Sequence, residues 1–237
     1  MRFYGELTDL ADEVDADVPF GGPRSVKDLV EALGVPHPEV GLIVVDGSTV
    51  GFDHRLTGGE RIAVYPPFHD IDVTGAVTVW PQPIAPRFVL DVHLGTLARR
   101  LRLLGFDCWY RTDTDDAELA RIAVDERRIL LTRDRGLLMR RIIVHGYCPR
   151  SHDPDEQVIE VVRRYELAEQ TAPMTRCATC NGRLAAVDRA AVHDQLPTRT
   201  AAAFDDFARC EGCGQLYWSG AHAESLEAIV RRIDALR

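Results

Sequence analysis

The chain alternates between two hydrophobic periods, and the switches mark its elements. MRFYGEL opens as a strand. SVKDLVEALG then takes helical spacing, with Val26, Leu29, Val30 and Leu33 on one stripe, Ser25 as N-cap and Gly34 as the stop. VGLIVVDG predicts a buried strand closed by an Asp-Gly turn, and RIAVYPP a second strand cut off by prolines. Gly58-Gly59 falls just before that strand and reads as a turn. Residues 71–86, with Pro81, Pro83 and Pro86, predict an extended linker.

From residue 87 the pattern becomes a regular exchange of strand and helix. RFVLD is a short apolar strand ending on Asp91. HLGTLARRLRLLG sets Leu94, Leu97, Ala98, Leu101 and Leu104 at helical spacing with Gly105 as terminator, and leaves Arg99, Arg100 and Arg102 facing outward. FDCWYR, RRILLTRD and RIIVHG predict strands; DDAELARIAVDE and SHDPDEQVIEVVRRY predict helices. Such alternation predicts a parallel, three-layer α/β sheet, and sites in such sheets gather at the carboxyl ends of strands. Asp91 and Asp134 fall there, and Asp116 opens the helix after the second strand. Three carboxylates sharing one cleft repel and call for a hard cation, Mg²⁺ or Mn²⁺, the chemistry of metal-assisted phosphodiester hydrolysis. The structural alternatives are helix capping for Asp116, an Asp115/Glu118 capping box, and strand-end turns for Asp91 and Asp134.

The last part carries two C-x-x-C pairs, Cys177/Cys180 and Cys210/Cys213, each followed by Asn or Gly. With no secretory leader at the start, the pairs read as a structural Zn²⁺ site: four thiolates close a tetrahedron and leave no position for water. Cys108 and Cys148, in FDCWY and HGYCP, read as buried small hydrophobes. Tyr217 and Trp218 are either a strand-borne core pair or a surface on which bases stack.

Composition changes the picture in one respect. The 237 residues are 46% hydrophobic and 27% charged, ordinary for a globular protein, and no apolar run reaches the roughly 20 residues of a membrane span, so a cytoplasmic location is expected. Net charge is −9, which by itself counts against nucleic acid. Residues 1–86, however, carry 5 basic and 14 acidic side chains, while 87–165 carry 15 and 13. The acidity sits almost wholly in the first third, and the arginine-rich middle can face phosphate.

Two stretches resemble known families. SVKDLVEALGVPHPEVGLIVVDG through GGERIAVYPPF resembles the ubiquitin-like β-grasp domain found ahead of certain RNase-like domains, and more distantly the sulfur-carrier proteins. Sulfur carriers use a free C-terminal Gly-Gly, which the internal Gly58-Gly59 does not supply. FVLDVHLGTLARRLRLLGFDCWYRTDTDDAELARIAVDERRILLTRDRGLL is similar to the Mut-seven C-terminal RNase family, a branch of the PIN-like nuclease fold. The shared pattern is an Asp after the first strand, an L-G-x-L-A-R-x-L-R helix, an Asp opening the next helix, and T-R-D. The resemblance implies a ubiquitin-like α+β domain over 1–70, a linker over 71–86, a PIN-like three-layer α/β RNase domain over 87–165 and a zinc ribbon over 166–237.

It further implies a divalent-metal-dependent ribonuclease. Asp91, Asp116 and Asp134 become its catalytic Mg²⁺ or Mn²⁺ ligands, and Asp153, Asp155 or Glu156 candidates for a fourth acid. Arg99, Arg100, Arg102, Arg133 and Arg135 would lie along the RNA, assisted by the ribbon; His222 is a common feature of the family. The competing reading is a non-catalytic RNA-binding or ribosome-associated adaptor on the same scaffold, a class that tends to lose the acids. Two expectations follow: zinc and catalysis are separable, and the acidic first domain, spaced by the prolines, faces away from Asp91, Asp116 and Asp134 and serves a protein partner or positioning.

Overall fold

The computed structural model describes residues 1–68, 74–82, 84–196, 203–218 and 221–237, apart from the side chains of 221–224. In chain order the first elements are β1 (Arg2–Phe3), β2 (Arg24–Ser25), α1 (Val26–Ala32), β3 (Leu42–Val45), β4 (Ser48–Thr49), β5 (Arg55–Leu56) and β6 (Ile62–Tyr65). Then come β7 (Arg87–Leu90), α2 (Gly95–Leu103), β8 (Asp107–Trp109), α3 (Asp116–Asp125), β9 (Ile129–Leu131), α4 (Arg135–Leu138), β10 (Gly146–Tyr147) and α5 (Pro154–Arg164). The last are β11 (Leu184–Val187), α6 (Arg189–Val192), β12 (Phe207–Cys210), β13 (Leu216–Trp218) and α7 (Ala221–Asp234). Contacts divide the chain into two units: Met1–Ile84 with Asp116–Cys148, and Ala85–Asp115 with Pro149–Arg237.

In the first unit, β3 and β6 pair antiparallel from Leu42↔Tyr65 to Val45↔Ile62, β1 adds parallel to β6, and β4 adds antiparallel to β3. The order β1-β6-β3-β4, with one helix between β2 and β3, is the β-grasp arrangement. Ser25 Oγ accepts from Asp28 N and Asp28 Oδ2 accepts from Ser25 N, so α1 starts on a complete capping box and buries Val26, Leu29 and Val30. Asp46 and Gly47 both take positive φ (47° and 84°), the conformation an Asp-Gly hairpin turn demands. The opening strand is shorter than expected: Gly5, at φ 57°, turns the chain into a 3₁₀ segment, Gly5–Asp9.

The same unit contains α3, α4 and the parallel pair β9–β10. The strand expected over RIIVHG is displaced to Gly146–Tyr147, because Ile143 N–H turns back to Arg140 O and leaves Ile142 and Val144 exposed. Polar contacts of His37, Glu39 and Arg135 join the β-grasp part to this segment. His37 Nε2 lies 2.7 Å from Ile143 O, with Glu31 Oε1 2.7 Å from Nδ1. Glu39, fully buried, accepts from Cys148 N at 2.7 Å. Arg135 Nη1 donates to Leu10 O, to Gly34 O and to Asp12. The expected spacer is not free either: Val77 N donates to Thr49 Oγ1, Thr78 bridges Leu42, and Val79 N donates to Gly41 O. The acidic beginning of the chain is therefore docked on residues 116–148 rather than held away from them.

In the second unit, β7 and β8 run parallel in the register Arg87↔Asp107, Phe88↔Cys108, Val89↔Trp109. Leu94, Leu97, Ala98, Leu101 and Leu104 are all buried, as their spacing requires, and Gly105 ends the helix at φ 98°. α5 packs on α2 and α7 on α5, and Leu226, Ile229 and Ile233 of α7 are buried. β11, β12 and β13 form an antiparallel ribbon. Among the described residues no helix is long and apolar enough to cross a membrane.

Candidate metal centre

Two tight turns build the cysteine cluster. The first runs Cys177 to Gly182, and Asn181 takes φ 69° so that the backbone passes beneath the sulfurs; the second runs Cys210 to Gly214, which takes φ 76°. All four Sγ atoms lie within 4.8 Å of one another, with Cys177–Cys213 at 3.6 Å and Cys180–Cys210 at 3.3 Å. An ion with Zn–S bonds of about 2.3 Å sets tetrahedral sulfurs about 3.8 Å apart, so these residues fit such a metal. Backbone N–H groups of Gly212 and Cys213 point at Cys210 Sγ. Gly182 is dictated by the same crowding: a Cβ there would stand 2.9 Å from Cys210 Sγ and 3.2 Å from Cys180 Sγ. The cluster could hold a metal such as zinc.

Tyr217 closes the shell. Its hydroxyl accepts from Ala178 N at 2.9 Å and lies 3.2 Å from Cys177 Sγ, to which it donates when that thiol is ionised. Burial acts to raise the Cys177 pKa. The bonds from Tyr217 and from the Cys180 and Thr179 amides outweigh it and bring the thiol down to about 6. Burial, reinforced by Cys177, pushes the Tyr217 phenol up to about 12. This half-buried tyrosine is thus committed to the cluster through its hydroxyl. The side chain of His222 lies outside the described residues.

Arg102 requires a correction. Expected to face outward and meet RNA, it is only 4% exposed. Its Nε and Nη2 donate to Cys108 O at 3.0 and 2.8 Å, and its Nη1 donates to Ala178 O and Thr179 O at 3.0 Å. Asn181 completes the joint: its Oδ1 accepts from Cys108 N and its Nδ2 donates to Asp107 Oδ1. Burial lowers the Arg102 pKa, opposed by the nearby Cys108, Cys177 and Cys180 sulfurs, which raise it. The only sequence trace of this joint is Asn181 directly after Cys180; nothing in the spacing of Arg102 distinguishes it from Arg99. Cys108 and Cys148 are buried, as their surroundings imply.

The carboxylates sit in different parts of the chain. Asp91, buried, follows β7 in the second unit, and its carbonyl accepts from Leu94 N at 2.9 Å. Asp116 and Asp134 belong to the first unit. Asp116 opens α3, with Arg140 Nη2 3.7 Å away. Asp134 follows β9 and caps α4, its Oδ1 accepting from Gly136 N at 2.7 Å and Leu137 N at 3.3 Å. The three candidates for a fourth acid already have structural work: Asp153 caps α5, Asp155 pairs with Arg100, and Glu156 pairs with Arg232 at 2.7 Å. Of the remaining arginines, Arg99 and Arg133 are exposed, while Arg135 is bound to Leu10, Asp12 and Gly34.

A β-grasp module, parallel strand pairs with packed helices and a four-cysteine ribbon together define a ubiquitin-like part and an α/β part with a cysteine ribbon that could hold a metal. Residues 1–72 match the family model described as Mut7-C ubiquitin, and residues 86–230 match the Mut7-C RNAse domain. The chain belongs to the Mut7-C RNAse domain family. No curated protein and no solved structure matches it.

Proposed function

We propose that the protein is a divalent-metal-dependent ribonuclease with a PIN-like α/β core, and that Asp91, Asp116 and Asp134 are its acids. The observation that carries this reading is the match of residues 86–230 to an RNase domain family, a span that contains Asp91, Asp116 and Asp134. Supporting it, Asp91 and Asp134 both follow strands of parallel pairs, and Asp91 is a buried carboxylate, the kind of hard oxygen donor that Mg²⁺ or Mn²⁺ favours. When bound, such an ion supplies Lewis-acid polarisation of the scissile phosphate and an activated water. The carboxylates hold and orient it. Exposed Arg99 and Arg133 neutralise backbone phosphates, and guanidinium geometry suits them to two oxygens at once. The cysteine cluster takes a structural zinc that assists RNA binding.

The test is cleavage of labelled single-stranded RNA, structured RNA and DNA under Mn²⁺ or Mg²⁺ titration. Asp91→Asn, Asp116→Asn and Asp134→Asn are each expected to reduce cleavage at least about a hundredfold with the thermal transition retained. A variant that keeps wild-type cleavage removes its residue from the site.

A further inference from the structure

We infer that the first cysteine knuckle is a positioning device for the turn that carries Asp91, acting through Arg102, Asn181, β8 and Tyr110. The catalytic part of this inference rests on the ribonuclease reading; the structural part does not.

The connection is continuous within one unit. Cys108, in the middle of β8, turns both of its backbone polar groups to the joint: its N–H to Asn181 Oδ1 and its carbonyl to two nitrogens of Arg102. Among the described residues β8 is an edge strand, and the joint pairs with the groups that face away from β7. Arg102 reaches the knuckle carbonyls of Ala178 and Thr179 with its third nitrogen, so it links the metal turn directly to the strand. Parallel pairing of Val89 with Trp109 then brings Tyr110 out beside the exit of β7. There the Tyr110 hydroxyl donates to Val92 O at 2.9 Å, one residue beyond Asp91. The ring lies so close to the start of α2 that a Cβ on Gly95 would stand 2.5 Å from the hydroxyl oxygen. Gly95 is thus the residue that admits the tyrosine.

The turn over residues 177–182 presents two carbonyls to Arg102 and an amide to Cys108. Without a metal to tie its sulfurs to Cys210 and Cys213, it rests on the hydrogen bonds of Cys177 N to Gly182 O, Asn181 N to Cys177 O, Arg176 to Asn181 O and Ala178 N to Tyr217, and is loosened. Withdrawal of those partners leaves buried donors and acceptors unsatisfied at β8, an unfavourable state that the strand relieves only by moving. Tyr110 moves with it, and the Asp91 turn loses its brace. The ribbon therefore acts on chemistry through Asp91 placement, beyond any contact it makes with RNA. Arg102, Asn181 and Tyr110 are positioning residues.

The experiment uses the full-length, zinc-loaded protein with two mild variants. Tyr110→Phe removes one hydroxyl, and Asn181→Gly removes the amide while keeping a residue that accepts positive φ. Zinc content and exchange protection of β11–β13 are expected to stay at wild-type levels in both. Amide hydrogen exchange of residues 91–95 is expected to rise at least about tenfold in both, and that of residues 107–110 in Asn181→Gly. For cleavage, kcat is expected to fall about tenfold at unchanged RNA KM, with more Mn²⁺ needed for half-maximal rate. Unchanged exchange at 91–95 in both variants overturns the inference whatever the activity. Raised exchange with kcat and Mn²⁺ dependence unchanged overturns its catalytic part. Absence of metal-dependent RNA cleavage by the wild-type protein defeats the ribonuclease reading instead. Retained cleavage in Asp91→Asn removes Asp91 from the site and with it the catalytic part of the inference. In either case the exchange measurement still decides whether the knuckle braces the turn.

Discussion

Arg102 shows how far a single side chain can depart from its pattern. It lies off the apolar stripe of α2, where arginine ordinarily meets solvent, yet it carries four hydrogen bonds in a site sealed by the cysteine knuckle. Three carbonyls accept from the guanidinium, with the Asp107 charge nearby, and removing the arginine orphans them together. Arg102→Ala is expected to destabilise the protein by about 3–5 kcal/mol, as for other buried charged hydrogen-bond networks. Urea unfolding with parallel zinc quantification checks it, and an effect below about 1 kcal/mol, the scale of a surface pair, contradicts the buried joint. Tyr217 and Gly182 are further cases in which chemistry resides in residues that hydropathy ignores. One hydrogen-bonds to a sulfur of the cysteine cluster, and the other is small because two sulfurs occupy the space beside it.

At the scale of elements, caps and turns follow local sequence closely. The Ser25–Asp28 box, the Asp46-Gly47 turn and the Gly58-Gly59 turn, with φ 103° and 89°, all form where their residues call for them. The glycine pair has a carboxylate partner in Glu60, which accepts from Gly58 N at 2.8 Å and from the Thr57 hydroxyl at 2.8 Å. Backbone and side-chain bonds from Thr57 lower the Glu60 pKa from 4.5 to about 2. Because the folded pKa is depressed, the turn gains from the ionised form above pH 4.5 and loses that gain as pH falls through about 2. The Thr57 and Gly58 amide resonances are expected to titrate near pH 2, and Glu60→Gln to abolish that titration. A midpoint at an ordinary glutamate value rules out the cap. Elements whose position depends on remote partners follow local sequence less well. RIIVHG has an apolar run suited to a strand, yet only Gly146–Tyr147 reaches β9.

Over the whole molecule, the parts read from the sequence as consecutive domains are interleaved by contact. Residues 116–148 pack with the ubiquitin-like part, and residues after 149 pack with 85–115. The expectation that zinc and catalysis separate cleanly meets a physical obstacle, because Ala172 and Met174 hydrogen-bond to Leu104 and Leu103 and the knuckle grips Cys108. The ubiquitin-like part is likewise integral. Glu39→Ala, which strips Cys148 N–H of a buried acceptor, is expected to cost about 2–3 kcal/mol. Native-state hydrogen exchange checks it: protection should fall together in β3, β6, β9 and β10. A loss confined to β9 and β10 would mean that the two segments unfold independently.

The sequence alone determined what depends on neighbours within a few residues. Helix stripes, caps, glycine turns and the two C-x-x-C knuckles are local devices, and the ubiquitin-like and RNase family patterns are carried by contiguous motifs. Tertiary structure alone decided which polar side chains are buried and by whom they are satisfied. Arg102 meets carbonyls more than 70 residues away, His37 meets Ile143 O at a separation of 106, and Arg135 turns from a candidate RNA contact into a clasp on Leu10, Asp12 and Gly34. A buried polar group is set by where its partner's backbone arrives after folding, and one-dimensional spacing holds no record of that arrival.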